Sequence, residues 1–285
     1  MPRVDSPEPA RSRYPLHDGL IERAWRAGGC ALVDCLAWSL GWSWITPDAN
    51  PALTHARELA LTDLARMRRE PVPLSRPLLI LNGYHAWAGV VESVRKQLAR
   101  ITSGNPDDIL AISFMDQTCF DAQRRRVLDE TARWVGLNTP VDIVAHSMGG
   151  LVGRFCGTTN HPDGRTLHIE RLYTLASPHR GATLANIATP DATARGMRAG
   201  SDFLKSLDAS PTTVRRLITF THAKDPVVGA HNTSLHNEHP RWCSGSRVLS
   251  HFSVAHNPIV LATIARELRS EPPLFDWPPS SLPTT

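Results

Sequence analysis

Ser147 lies in the run Val141-Asp-Ile-Val-Ala-His-Ser-Met-Gly-Gly150, where a short apolar stretch gives way at a single residue to a helical pattern. A serine at such a junction reads as a nucleophile. The turn holds it in a strained backbone conformation that lifts the hydroxyl clear of the chain, and only small residues, here Ala145 and Gly149, let strand and helix pass so closely. A serine hydroxyl is a poor nucleophile at neutral pH and needs a base, normally a histidine held in one tautomer by a carboxylate. Two later apolar runs end in suitable partners: residues 217–220 lead into a loop with Asp225, and residues 248–254 lead into Ala255-His256. Ser147, Asp225 and His256 thus agree in type, chain order and position, and together predict nucleophilic attack on an acyl carbon. His251 is the alternative base, but it falls inside the apparent strand 248–254, where a packed or paired imidazole is the plainer reading. Asp202 and Asp208 are alternative acids, disfavoured by the helical pattern around them.

Acyl chemistry also requires donors for the oxyanion of the tetrahedral intermediate, typically the N–H after the nucleophile and one from the loop after the first core strand. Met148 supplies the first. The loop Asn82-Gly-Tyr-His-Ala-Trp87 supplies the second, with Tyr84 taken as the donor ahead of its neighbour His85.

These residues need elements to hold them. From residue 78 onward short apolar runs (78–81, 109–115, 141–145) alternate with longer amphipathic stretches (90–101, 121–135, 148–157), and further apolar runs follow at 171–176, 217–220 and 248–254. Strands separated by helices of 10–15 residues build β-α-β units, so the expected core is an open, mostly parallel α/β sheet of about six strands with helices on both faces. In such a sheet the site lies beyond the carboxyl ends of the strands, where Ser147, Asp225 and His256 are placed. Residues 1–76 are expected to be a disordered lead and a helical extension, residues 77–270 the catalytic domain, and residues 271–285, with five prolines, a loose tail.

The chain of 285 residues has a charged share of 20% and a net charge of +4, which describes a globular protein and gives no basic patch for nucleic acid. Five cysteines at irregular spacing form no C-x-x-C pair, so neither a disulfide framework nor a zinc ribbon is indicated. The histidine-rich stretch His231 to His239 lacks the i, i+4 spacing of a helical metal site, and no metal or cofactor is expected. The proline-rich start lacks the apolar run of a signal peptide, which predicts a cytoplasmic location. Residues 30–45 are apolar except for Asp34 and two serines, and Trp38, Trp42 and Trp44 stand there. A span needs about 20 apolar residues, so this run either packs in a core or lies peripherally at a membrane surface.

The stretches Leu81-Asn-Gly-Tyr84, Ala145-His-Ser-Met-Gly-Gly150, Thr174-Leu-Ala-Ser-Pro-His-Arg-Gly-Ala182 and residues 194–207 resemble those of the α/β-hydrolase superfamily, within it the lipases and esterases. The last two are similar to parts of triacylglycerol lipases and of enzymes like the inositol deacylase that remodels lipid anchors. The resemblance implies an α/β-hydrolase fold in a minimal form lacking the first two strands, a small helical cap at about residues 180–215, and hydrolysis of a carboxylic ester through an acyl-enzyme on Ser147. Asn82 where that group commonly has histidine, and Ala145 for glycine, are departures. The expected substrate is a small-molecule or lipid ester. Acyl transfer or thioester cleavage by the same residues, or a silent hydrolase fold that only binds, are the competing readings.

Overall fold

The computed structural model describes residues 50, 53, 55–86, 88–187, 191–244, 250–277 and 282. All fall within one compact unit, Pro47–Thr285. The tryptophan-rich stretch 30–45, and with it the expectation of membrane contact, lies outside the described residues.

Six strands, β1 (Leu78–Leu81), β2 (Ile109–Ile112), β3 (Val141–His146), β4 (Ile169–Leu175), β5 (Arg216–His222) and β6 (Arg241–Cys243), form one sheet in the order β2-β1-β3-β4-β5-β6. Every neighbouring pair is parallel. Among the described residues the helices are α1 (Ala56–Arg69), α2 (Ala88–Ile101), α3 (Phe120–Trp134), α4 (Met148–Cys156), α5 (Ala192–Gly196), α6 (Asp202–Ala209), α7 (Ser250–Ser253) and α8 (Pro258–Leu268). A parallel sheet is covered on both faces, and successive side chains of a strand point to opposite sides. β1 shows both properties. Leu78 and Ile80 join the cluster that contains Leu64, Leu98 and Ile259, whereas Leu79 and Leu81 join the one that contains Val127, Leu151 and Val152.

Local signals set several helix ends. Asn257 caps α8 by accepting from the Ile259 N–H, with Pro258 at the first helical position, where its missing N–H costs nothing. Ser201 caps α6 in the same way through Leu204 N–H. Asp142, buried in β3, would be costly alone, but Arg171 of β4 embraces it with two N–H groups and Arg76 adds a third.

The structure corrects three expectations drawn from the sequence. Among the described residues the last strand is Arg241–Cys243, and the stretch expected as strand 248–254 instead holds the helical turn α7 at 250–253. A short apolar run fits a strand and a buried helical segment equally well by periodicity. The boundary expected at residue 77 is also displaced, because α1 sends Ala56, Ala60, Leu64 and Met67 into the same core cluster as α8. Finally, the start of the tail is not loose: Phe275 is buried, and Trp277 donates its indole N–H to Thr263 of α8 (3.2 Å) while its ring meets Phe220 edge-on. Between β4 and β5, Met197, which follows α5, and Leu204 and Leu207 of α6 join the core cluster that holds Val127 of α3, and Phe203 stacks on Phe120.

Candidate active site

β3 ends at His146 and α4 begins at Met148, so Ser147 alone makes the corner. Its φ of 54° and ψ of −128° lie in a region that L-residues avoid, at a cost on the order of 1–3 kcal/mol. The surroundings hold it there. Its N–H donates to Leu175 O (2.8 Å), and α4 passes so near β1 that a Cβ on Gly149 would stand 2.6 Å from the Asn82 carbonyl oxygen. A side chain at 149 would push α4 off the sheet and relax the corner.

His251, on α7, reaches Ser147: its Nε2 is 3.0 Å from the serine Oγ. The other ring nitrogen, Nδ1, lies 2.9 Å from Asp225 Oδ2. Asp225 follows β5, and its second oxygen, Oδ1, accepts the N–H groups of Val227 (2.8 Å) and Val228 (3.0 Å). The carboxyl is therefore locked in orientation. Burial pushes its pKa up, but the bond from His251, that ring's charge and the two amides outweigh burial and hold it below the ordinary aspartate range. An ionised Asp225 accepts only, so Nδ1 of His251 carries a hydrogen, and in the neutral ring Nε2 then faces the serine hydroxyl as an acceptor. All three side chains are nearly sequestered, Ser147 retaining 8% exposure.

His256 is not part of this cluster. It sits in the 3-10 turn Val254–His256 with Nδ1 3.1 Å from Gln97 Oε1 on α2. The base expected at 256 is thus replaced by His251, the alternative set aside because residues 248–254 read as strand. With α7 helical, the imidazole at 251 is free to point at the corner instead of being held by a ladder. Asp202 pairs with Lys205 (3.8 Å) and Asp208 with Arg154 (2.7 Å), so neither approaches the serine's base.

Met148 opens α4, and the first N–H groups of a helix have no partner within it. In the loop after β1, the Gly83 N–H is taken by Asn82 Oδ1 (2.9 Å), while Asn82 Nδ2 donates to Ala86 O (3.2 Å). Asn82 thereby shapes the turn that presents Tyr84. The Tyr84 hydroxyl donates to Asp191 Oδ2 (2.9 Å), which also meets His85 Nε2 (3.2 Å). Burial and then this bond push the phenol up to about 12. Asp191 also caps α5 through Ala194 N–H (2.8 Å), so one carboxylate ties the loop after β1 to the helical insert. Nothing in the sequence alone singled out Asp191. Among the described residues no three His, Cys, Asp or Glu side chains converge as metal ligands.

A family model described as the PGAP1-like alpha/beta domain matches residues 113–191, which include β3, the serine corner, α4 and β4. Among solved structures, the mature form of the lipase BlEst2 from Bacillus licheniformis superimposes with a TM-score of 0.52 at 18% identity, over 70% of this chain and 94% of that one. Its propeptide form gives 0.54 at 18% identity, over 72% of this chain and 53% of that one. Lipase B of Aspergillus fumigatus gives 0.50 at 15% identity, over 71% and 56%. The chain has the α/β-hydrolase fold. A search of curated protein sequences finds no match.

Within this fold the two departures from the usual motifs have local reasons. Ala145 is fully buried where the corner tolerates only a small group. Asn82 supplies both an acceptor and a donor to its own loop, which organises the turn through two short-range bonds.

Proposed function

We propose that this α/β-hydrolase cleaves carboxylic esters of acyl-chain or lipid substrates through an acyl-enzyme on Ser147. The observation that carries the reading is the imidazole of His251, bonded at once to Ser147 Oγ (3.0 Å) and Asp225 Oδ2 (2.9 Å). Oγ attacks the ester carbonyl carbon while His251 Nε2 takes its proton, and Asp225 stabilises the imidazolium that forms. The oxyanion is met by the N–H groups of Met148 and Tyr84. Collapse of the intermediate expels the alcohol, to which His251 returns the proton. Water then repeats the sequence against the acyl-serine, releasing the carboxylic acid and restoring the serine. Exposed apolar side chains favour an acyl substrate: Phe252 beside the base, Met115 after β2, and Leu184 and Ile187 in the insert after β4.

Turnover of p-nitrophenyl esters of graded chain length tests the reading. Ser147→Ala is expected to abolish it, and longer acyl chains to be preferred over acetate. Equal rates for wild type and Ser147→Ala would sink the proposal.

A further inference from the structure

His251 belongs to α7, whose described residues are Ser250–Ser253, and its ring meets Ser147 and Asp225 together. Among the described residues, several bonds to this turn come from residues at or just after the ends of β3 and β5. Ser250 Oγ donates to Lys224 O (2.8 Å), just after β5. His222, the last residue of β5, lies with Nδ1 2.9 Å from Ser250 O and with Nε2 2.9 Å from the side-chain amide of Asn257. The carbonyl of His251 itself is reached by Nε2 of His146 (2.8 Å), the last residue of β3 and the neighbour of the nucleophile.

A carbonyl oxygen can only accept, so Nε2 of His146 carries the hydrogen and donates. Burial, and next the charge of the adjacent His251, push this imidazole down to about 3, so it stays neutral when His251 takes up a proton from the serine. The two rings lie 5.1 Å apart between centroids. A neutral His146 therefore adds no repulsion to the imidazolium while still fixing the backbone beneath it.

We infer that His146 is a positioning residue that sets the distance from the base to the nucleophile, by tying the strand that carries Ser147 to the main-chain carbonyl of His251. The inference rests on the proposed ester hydrolysis and deepens it. Ser147 and Asp225 define where the ring must be. The bond from His146 defines where its Cα must be, so that the ring arrives without straining either contact. A misplacement on the order of 1 Å in such a site costs about 100-fold in rate. Positioning of this kind acts in the transition state, so its loss lowers kcat and kcat/KM together and leaves KM nearly unchanged.

The experiment uses the full chain, p-nitrophenyl butyrate and labelling by a fluorophosphonate, with Ser147→Ala as the reference for loss of chemistry. His146→Phe removes the donor. It is expected to lower kcat and the labelling rate by about 10- to 100-fold with KM within about twofold of wild type. His146→Gln, whose amide N–H stands three bonds from Cβ as Nε2 does, is expected to restore both to within about threefold, as one hydrogen bond of similar geometry would. Should His146→Phe fail to fold, His146→Met carries the same expectation. Equal turnover by wild type and Ser147→Ala overturns the ester hydrolysis and this inference with it. A dead Ser147→Ala beside an unimpaired Phe or Met variant, or a Gln variant as impaired as they are, overturns the positioning role alone.

Discussion

At Asp225 the two carboxylate oxygens do different work. Oδ1 is saturated by two backbone amides, and Oδ2 is left for the imidazole. Replacing Asp225 by Asn keeps the shape but offers the ring an N–H or a weaker acceptor, and the tautomer with a free Nε2 is no longer enforced. Asp225→Asn is expected to lower kcat for a p-nitrophenyl ester by about 100- to 10,000-fold while the thermal midpoint moves little, as measured by steady-state rates and circular dichroism. Ser147 and Asp225 were both legible in the chain because each directly follows an apolar strand with the right texture on either side. The choice between His251 and His256 was not legible. The two stand five positions apart, and which of them faces the serine depends on whether 248–254 is extended or helical, which periodicity leaves open. Still less visible was His146, whose task depends on a carbonyl 105 residues away in the chain.

Among the elements, α1 shows what the alternation of strands and helices concealed. It precedes the first strand and so belongs to no β-α-β unit, yet its Arg66 and Asp63 pair with Glu271 and Arg266 beyond and within α8. Its apolar stripe completes one face of the sheet. Leu64→Ala is therefore expected to destabilise the main unfolding transition by about 2–5 kcal/mol, whereas Leu59→Ala, at a position 54% exposed, should change it by less than about 0.5 kcal/mol. Urea midpoints for the two variants check this, and a silent Leu64→Ala would return α1 to the status of an appendage. The parallel sheet itself was readable from short apolar runs at helical intervals. β6 was not, since three residues, Arg241-Trp-Cys243, give no alternation to read.

For the molecule as a whole, buried neutral histidines set the response to acid. His146 is pushed down to about 3, and His179, enclosed against Thr174 (3.0 Å) with the Arg154 guanidinium beside it, is lowered well below the ordinary histidine value, first by burial and then by Arg154. Both have folded-state values below those of the unfolded chain. Above about pH 6.5 neither state is protonated at these positions and they leave stability unchanged. As pH falls through that value the unfolded chain takes up protons that the native state refuses, so stability drops with a slope of up to about 1.4 kcal/mol per pH unit for each histidine. Asp225, lowered instead as a carboxylate, loses its contribution only as pH falls below the ordinary aspartate range. Urea unfolding between about pH 6.5 and 4 should thus show the histidine slope, and His179→Gln should flatten it by about one proton's worth. An unchanged slope in that variant would contradict the burial of a neutral imidazole there.

The turn that bears His251 takes its tethers from the carboxyl ends of β3 and β5, which stand on either side of β4 in the sheet. Competence is therefore a property of the finished sheet. Loosening either strand end would move the imidazole without touching the serine corner, so the register of the three groups is only as firm as the sheet that spaces β3 from β5.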